Sequence, residues 1–140
     1  MKHMPLHLLK LCVGIDSIAE LRRFVGERAK TAAGVHAHVT RMRPTRAADL
    51  LDGGSLYWVI KGQICARQRL LGLEDFFGSD GIRRCALQLD DEVFDVTPRP
   101  CRPFQGWRYL KSENAPLDLF GAGADMPEHL RRDLTDLGLL

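Results

Sequence analysis

The 140-residue sequence lacks several features that would place it in a familiar class of protein. No run approaches the roughly 18 apolar residues of a membrane-spanning helix, so no membrane association is expected. The four cysteines form no CxxC pair, and three lie among apolar neighbours, which predicts free thiols in a reducing compartment. We recognise no cleavable signal segment, internal repeat or low-complexity tract. We therefore predict one domain over residues 1–140 and a cytoplasmic location.

Signatures of catalysis and of metal binding are also missing. The sequence contains no nucleophile elbow, Walker loop or Rossmann fingerprint. His36 and His38 are two residues apart and share one strand face, a spacing that permits metal chelation, but no third ligand lies nearby in the sequence. We therefore predict no metal and no cofactor, and we interpret the two histidines as part of a half-exposed polar strand face.

The chain has little net charge, but its positive and negative residues are unevenly distributed. The formal net charge is only +2, yet residues 36–111 contain 12 Lys and Arg against 9 Asp and Glu. Most of these cations are arginines, whose planar guanidinium groups suit phosphates, carboxylates and the edges of nucleobases. This excess favours an anionic partner.

The stretch from Asp52 to Gly62 organises the predicted fold. It alternates Leu56, Trp58 and Ile60 with two further apolar side chains and a lysine, between glycines that permit tight turns. A strand that is apolar on both faces must be covered on both, as happens in a small closed barrel. We predict that this stretch is the central strand of the sheet.

The remaining pattern alternates short strands with a few helices. Strands are predicted at 6–13, 35–40, 64–73, 82–89, 93–96 and 104–110, and helices at 18–29, 45–51 and 127–137. Ser17 and Glu20 have the spacing of a capping box at the start of the first helix, and Thr45 is predicted to cap the second. This order predicts an α+β fold: a small, mostly antiparallel curved sheet or barrel with flanking helices and a C-terminal helical extension from about residue 115.

Two resemblances follow from these blocks. The segments LLDGGSLYWVIKG, DGIRRCALQLD and RPFQGWRYL resemble an uncharacterised bacterial family known only as a domain of unknown function, over most of residues 6–120. The order of a strand, a capped helix, and a glycine turn into an aromatic strand that ends Lys-Gly is similar to PUA-like domains, especially the EVE and ASCH branches. In those branches the turn often reads Gly-Asp, whereas Gly53-Gly54-Ser55 stands here.

The PUA-like resemblance implies a concave mouth that takes a nucleobase or a nucleic-acid strand. At matching positions it implies roles for Thr40 and Arg41 after the second strand, Trp58 and Lys61 on the central strand, and Trp107 and Arg108 late in the chain. It also implies an alternative, because some ASCH-type domains hydrolyse acylated nucleobases with a Lys, a Thr and a carboxylate. Thr40 and Lys61 match two of those roles, but the Lys that precedes the Thr in that family is absent here.

The residues themselves point to the same chemistry, since aromatic side chains stack on bases and arginines bind phosphates. The predicted nucleic-acid-binding residues are Thr40, Arg41, Arg43, Trp58, Lys61, Arg67, Arg69, Arg84, Arg102, Gln105, Trp107, Arg108 and Tyr109. Two other interpretations stay open at this point. The tryptophans would equally serve as core residues, and the arginines would equally pair with nearby acids such as Asp49 or Glu74.

Three functions therefore remain. The first is a binding module for RNA or single-stranded DNA, with a modified base as one option. The second is a small hydrolase that acts on an acylated nucleobase or a nucleotide-like substrate. The third is a protein-interaction or dimerisation domain, because Leu130, Leu134 and Leu137 form an apolar stripe that would support a homodimer through the C-terminal helix.

Overall fold

The structure is a computed structural model that describes residues 5–31 and 35–119. Within these residues the chain forms strands and short helices in an α+β arrangement. In chain order they are β1 (Leu6–Leu11), α1 (Ile18–Thr31), β2 (Val35–Thr40), α2 (Ala47–Leu51), β3 (Ser55–Ile60), β4 (Gln63–Phe77), β5 (Arg83–Asp90), β6 (Phe94–Pro100), β7 (Trp107–Lys111) and a 3₁₀ helix (Ser112–Asn114). The predicted α+β class and curved sheet are confirmed. The predicted helix at 127–137, with the dimer surface assigned to it, lies outside the described residues.

The first helix begins as the sequence predicts. The backbone N–H of Glu20 donates to the Ser17 hydroxyl at 3.1 Å, and the Glu20 carboxylate accepts the N–H of Asp16 at 3.2 Å. The first bond satisfies a donor of the first turn, as in a capping box, whereas the Glu20 carboxylate accepts the N–H of the residue before the N-cap instead of that of Ser17. Leu21 and Val25 then face the core, one turn apart. Among the described residues, no helix is both long and apolar enough to cross a membrane.

The predicted central strand is confirmed, since every residue of β3 is buried. It lies between β1, which is parallel to it, and β4, which is antiparallel. Leu56 and Trp58 belong to one apolar cluster, whereas Tyr57 and Val59 belong to a second cluster on the other face. Both faces of the strand are therefore covered, as its double apolar pattern requires.

The sheet is curved but open, which corrects the expectation of a closed barrel. Its strands follow the order β2-β5-β4-β3-β1-β7, and β6 pairs with β4 off this path. Among the strands that the structure describes, all pairs are antiparallel except β1 with β3. The path of these strands ends at β2 and β7, so their ladder does not close. Closure is not needed to bury β3, because Cys101, Phe104 and Ala115, which lie in irregular segments, cover its second face.

Strand β4 is longer than the sequence predicts and joins two parts of the sheet. Its inner half, residues 63–69, pairs with β3 on one edge and β6 on the other, whereas its outer half, residues 70–77, pairs with β5. Register shifts at two places, between Ile64 and Ala66 and between Leu70 and Gly72, bend the strand, as β-bulges do. Buried Gln68 stands near the bend, where its amide accepts from Trp58 Nε1 at 2.8 Å and donates to the Asp90 carbonyl at 2.7 Å.

Two local predictions differ from the structure. Thr45 does not cap α2, because its backbone N–H and its hydroxyl both lie within hydrogen-bond distance of the Tyr109 hydroxyl. Strand β2 also turns its polar face inward. The His38 ring meets the Trp58 ring edge-on at 5.5 Å between centroids, whereas Val39 on the opposite face is 47% exposed. The His38 imidazole therefore fits in the interior beside the Trp58 indole.

Candidate functional site

The loop that follows β2 contacts β7 and links the two ends of the open sheet through side chains. Trp107 Nε1 donates to the Met42 carbonyl at 2.6 Å. The Tyr109 hydroxyl accepts the backbone N–H groups of Thr45 at 3.0 Å and Arg46 at 3.2 Å. The loop and the late aromatic segment, which the PUA-like resemblance places together, are therefore adjacent in the structure.

These contacts occupy the aromatic groups that were predicted to stack on bases. Trp107 is 7% exposed and Trp58 is 3% exposed, and the N–H of each indole already has an acceptor. Tyr109 is half-buried and packs edge-on against Trp107 at 4.9 Å between ring centroids. The structure places both indoles in the core, which was the alternative interpretation of these residues.

Three of the predicted arginines have carboxylate partners. Arg43 pairs with Asp75 at 2.8 Å, and Arg84 Nη2 pairs with the Asp80 carboxylate at 2.7 Å. The hydrogen bonds from Arg84 hold the pKa of the Asp80 carboxyl well below its usual range. The third pair joins Arg67 and Asp118.

Arg67 makes the most extensive of these contacts. Its Nε and Nη2 atoms donate to the two oxygens of Asp118 at 2.8 and 2.6 Å, and Nη1 donates to the Ser55 hydroxyl at 2.9 Å. The Phe94 ring centroid lies 4.3 Å from the guanidinium carbon. Pairing of arginines with acids was foreseen as an alternative, but the partners are not those suggested: Asp49 pairs with Arg46, and Glu74 accepts a bond from Gln88.

The other predicted residues are spread over the surface. Arg41, Lys61, Arg69, Arg102, Gln105 and Arg108 are exposed, and Thr40 is half-buried at the end of β2. Arg108 lies over the Phe104 ring at 4.7 Å, whereas Lys61 occupies the β3–β4 turn with φ of 49°. Neither Thr40 nor Lys61 lines either of the two clefts described next. The hydrolase alternative therefore finds no converging Thr–Lys pair in these clefts.

The first cleft, here called the α1 cleft, opens between the end of β1, α1 and β2, with a volume of about 460 Å³. Its floor is formed by Trp58 and His38, and its apolar wall includes Phe24 of α1. Its lining side chains of ionisable character are Lys10, Cys12, Glu20, Arg23, Glu27 and His38. Of the cleft residues, sequence analysis predicted only Trp58 as a site residue.

The second cleft, here called the Arg67 cleft, has a volume of about 620 Å³. It lies between β1, β3, β4 and the segment after β7, and Arg67, Arg69, Asp118, His7 and Tyr57 line it. All three guanidinium nitrogens of Arg67 already bind Asp118 or Ser55, and Arg69 lies over the Phe94 ring at 5.3 Å. This pairing leaves the α1 cleft as the better candidate for a ligand.

Ser112 and His7 lie close together in the Arg67 cleft, but they do not form a nucleophile–base pair. The N–H of Ser55 donates to His7 Nδ1 at 3.0 Å, so the proton of the neutral ring is on Nε2, which lies 3.4 Å from the Ser112 hydroxyl. Burial, and then the positive charge of Arg67, lower the pKa of His7 to about 4, which keeps the ring neutral. Nε2 therefore carries a proton and does not accept one from Ser112.

Two of the thiols, Cys12 and Cys65, are unreactive by the same physical reasoning. Burial raises the pKa of Cys12 to about 12 and that of Cys65 to about 11, so neither is a thiolate at neutral pH. All four cysteines are free, which confirms the prediction of free thiols. Within residues 5–31 and 35–119, no group of three His, Cys, Asp or Glu side chains is placed to hold a metal ion.

Comparison with known proteins supplies a family but no activity. A search of curated proteins and a search of solved structures each found no match. A scan against protein families matches residues 8–140, nearly the whole chain. The chain therefore belongs to the family described as "Protein of unknown function (DUF1489)", which confirms the resemblance to an uncharacterised family.

Proposed function

We propose that the protein binds single-stranded nucleic acid, RNA or DNA, and takes one nucleobase into the α1 cleft. The observation that carries this proposal is the cleft itself, with a volume of about 460 Å³ and an aromatic floor. Pockets of roughly 300–1,000 Å³ with mainly apolar walls and a few polar groups are typical sites for small ligands. A base with its sugar is a ligand of this size.

The walls of the cleft suit a flat ring. Trp58 and His38 close the floor, and Gln68 fixes the indole by accepting its N–H. Phe24 is 37% exposed at the wall, and the Arg28 guanidinium lies over its ring at 5.0 Å from the centroid, so a base would stack on the part of the ring that Arg28 leaves uncovered. Because Trp58 is 3% exposed and packs against His38, Phe24 is the aromatic side chain of the cleft that would stack on a base, and every base has a π-face for such stacking.

The rim of the cleft offers both signs of charge. Lys10 and Arg23 suit the phosphates on either side of the bound nucleotide, while the carboxylates of Glu20 and Glu27 suit the N–H groups on the edge of a base. Two cations face two carboxylates at this rim, so the cleft is not strongly basic. This balance favours reading of a base over simple attraction of a polyanion.

The PUA-like resemblance supports the proposal in part. It implies a pocket at the concave mouth beside the first strand, and the α1 cleft lies beside the end of β1. The loop after β2 and the aromatic segment of β7 do not line this cleft, in contrast to the pocket that the resemblance implies. A modified base is an extension of the same proposal, which oligonucleotides with and without base methylation distinguish.

The test is binding of short, fluorescently labelled RNA and DNA single strands, followed by fluorescence anisotropy. Replacing Phe24 by Ala is expected to weaken binding by about 1–3 kcal/mol, the usual contribution of one aromatic side chain that stacks on a base. Because the Phe24 ring is partly exposed, we expect the variant to remain folded.

The matched control is Phe76→Ala, which makes the same change at a ring in β4 that is also 37% exposed and does not line the α1 cleft. It is expected to leave affinity unchanged. Absence of binding by the wild-type protein, or equal losses in the two variants, would overturn the assignment of the α1 cleft.

A further inference from the structure

Two arginines from different segments share one carboxylate at the outer end of the sheet. Arg43, in the loop after β2, donates from Nε to Asp75 Oδ1 at 2.9 Å and to Oδ2 at 2.8 Å. Arg83, at the start of β5, donates from Nη2 to the same Oδ2 at 2.8 Å. We call these three residues the arginine clamp. Their side chains remain 40%, 64% and 30% exposed for Arg43, Arg83 and Asp75, so solvent ions reach all of them.

The clamp lies on the inward face of the sheet. Thr40, Cys85 and Asp75 are direct partners across β2, β5 and β4, and directly opposed side chains point to the same face. Cys85 is completely buried, so this face is the one that packs on the core. Arg83 precedes Cys85 by two residues and therefore also points to this face.

The α1 cleft opens on the same face, a short distance along β2. His38, which forms part of the cleft floor, precedes Thr40 by two residues. Two residues of an antiparallel strand span about 7 Å. Asp75 is aligned with Thr40 across the sheet, so its backbone lies about 7 Å, measured along the strands, from the level of His38.

The clamp has unused capacity for an anion. Two guanidinium groups face one carboxylate, so the cluster has a net charge of +1. Each guanidinium carries five N–H donors in a planar fork, and Asp75 accepts one N–H from each. A phosphate group, which recruits several such donors at once, fits this arrangement.

We propose that Arg43 and Arg83 bind a backbone phosphate of the strand whose base occupies the α1 cleft, and that Asp75 competes with this phosphate. The inference rests on the proposed function, because it assigns the neighbouring phosphate of the same ligand. Asp75 keeps the two guanidinium groups together in the free protein, and its negative charge opposes the incoming anion.

The test compares Arg43→Gln, Arg83→Gln and Asp75→Asn by anisotropy with a short single strand at several salt concentrations. Each arginine variant is expected to lower affinity on the order of fivefold, as loss of one charge-assisted contact does. Loss of one phosphate contact also reduces the slope of log K against log salt by about 0.7 for a single strand. Asp75→Asn removes the charge but retains an acceptor, and is expected to raise affinity.

Arg84→Gln is the matched control. Arg84 adjoins Arg83 on the same strand and has a carboxylate partner of its own, Asp80, but it points to the opposite face of the sheet. Its removal is expected to leave the salt slope unchanged. Unchanged slopes in both clamp variants, or weaker binding in Asp75→Asn, would overturn the clamp while leaving the proposed function intact.

A second measurement separates the clamp from the proposed function. Inorganic phosphate is titrated into the protein, and the side-chain Nε–Hε resonances of Arg43 and Arg83 are followed by NMR. Shifts that disappear in Arg83→Gln support an anion site even where no oligonucleotide binds, an outcome that would overturn only the nucleic-acid proposal. Absence of shifts in both resonances counts against the clamp.

Discussion

The two halves of β4 belong to one strand but have different surroundings. In the inner half, residues 63–69, Ile64 and Ala66 are buried within a ladder that continues on both edges. In the outer half, residues 70–77, the side chains are largely exposed, and Phe77 is 73% exposed. The bend between the halves separates a part of the sheet that buries apolar surface from a part that presents charged groups to solvent.

This difference separates stability from binding. Burial of apolar side chains is the main favourable term in folding, so the inner half should determine the free energy of unfolding. The arginine clamp belongs to the outer half and its neighbours, where substitutions cost little stability. Variants along one strand can therefore test the two properties separately.

The largest expected effect compares Ile64→Ala with Leu71→Ala. The two changes remove the same number of carbon atoms, but Ile64 is 4% exposed and Leu71 is 52% exposed. Truncation of a buried Ile costs about 2–5 kcal/mol, whereas an exposed position costs less than about 0.5 kcal/mol. Urea denaturation measures both losses of unfolding free energy, provided that the variants have the same m-value as the wild type. Similar losses in the two variants would contradict the division between the halves.

The parts of the fold that the sequence predicted are those with a periodic signal. Three such signals reflect local geometry. They are the apolar residues on both faces of β3, the capping residues Ser17 and Glu20, and the buried residues Cys85 and Leu87 at every second position of β5. The outer end of β4 was missed because its side chains are exposed on both faces, so burial leaves no alternation in the sequence.

The candidate site was predicted less completely, for a different reason. The α1 cleft combines Lys10, Phe24, His38 and Trp58 from four elements, and only the tertiary structure brings them together. The inward orientation of His38 depends on the neighbouring indole and not on the polarity of β2. The sequence analysis assigned aromatic and charged residues to binding surfaces. Trp107 is instead buried and bonded to the loop after β2, a tertiary contact that the sequence pattern does not reveal.

Acid provides the next sharpest test, through His7 beside the inner half. The pKa of His7 is lowered to about 4 by burial and then by Arg67, against about 6.5 in an unfolded chain. The folded state therefore binds the proton less well, and stability is lost as the pH falls below about 6.5. The expected slope is up to about 1.4 kcal/mol per pH unit until the pH nears 4.

Urea denaturation between pH 7 and pH 4.5 measures this slope, and His7→Gln is expected to flatten it. The loop that follows the outer half offers the contrast, because the pKa of Asp80 is lowered by hydrogen bonds from Arg84, so this carboxylate stays ionised across the same range. An equal slope in His7→Gln and wild type would show that another group titrates.

The smallest of the three effects compares two ion pairs, Arg67 with Asp118 and Arg43 with Asp75. The first is the less exposed, with side chains 14% and 23% exposed, and Arg67 also binds Ser55. Arg67→Gln leaves Asp118 with poorer hydrogen bonds at a partly buried position, so we expect a loss of about 2 kcal/mol. The second pair is 40% and 30% exposed, and exposed pairs contribute about 0–1 kcal/mol.

Urea denaturation of Arg67→Gln and Arg43→Gln at neutral pH gives both values directly. The comparison also fixes how the binding experiments are interpreted, because a small loss in Arg43→Gln means that any drop in its affinity for nucleic acid comes from the missing contact. A loss near 2 kcal/mol in Arg43→Gln would instead make Arg43 a structural residue, and the outer half of β4 would then contribute to stability as the inner half does.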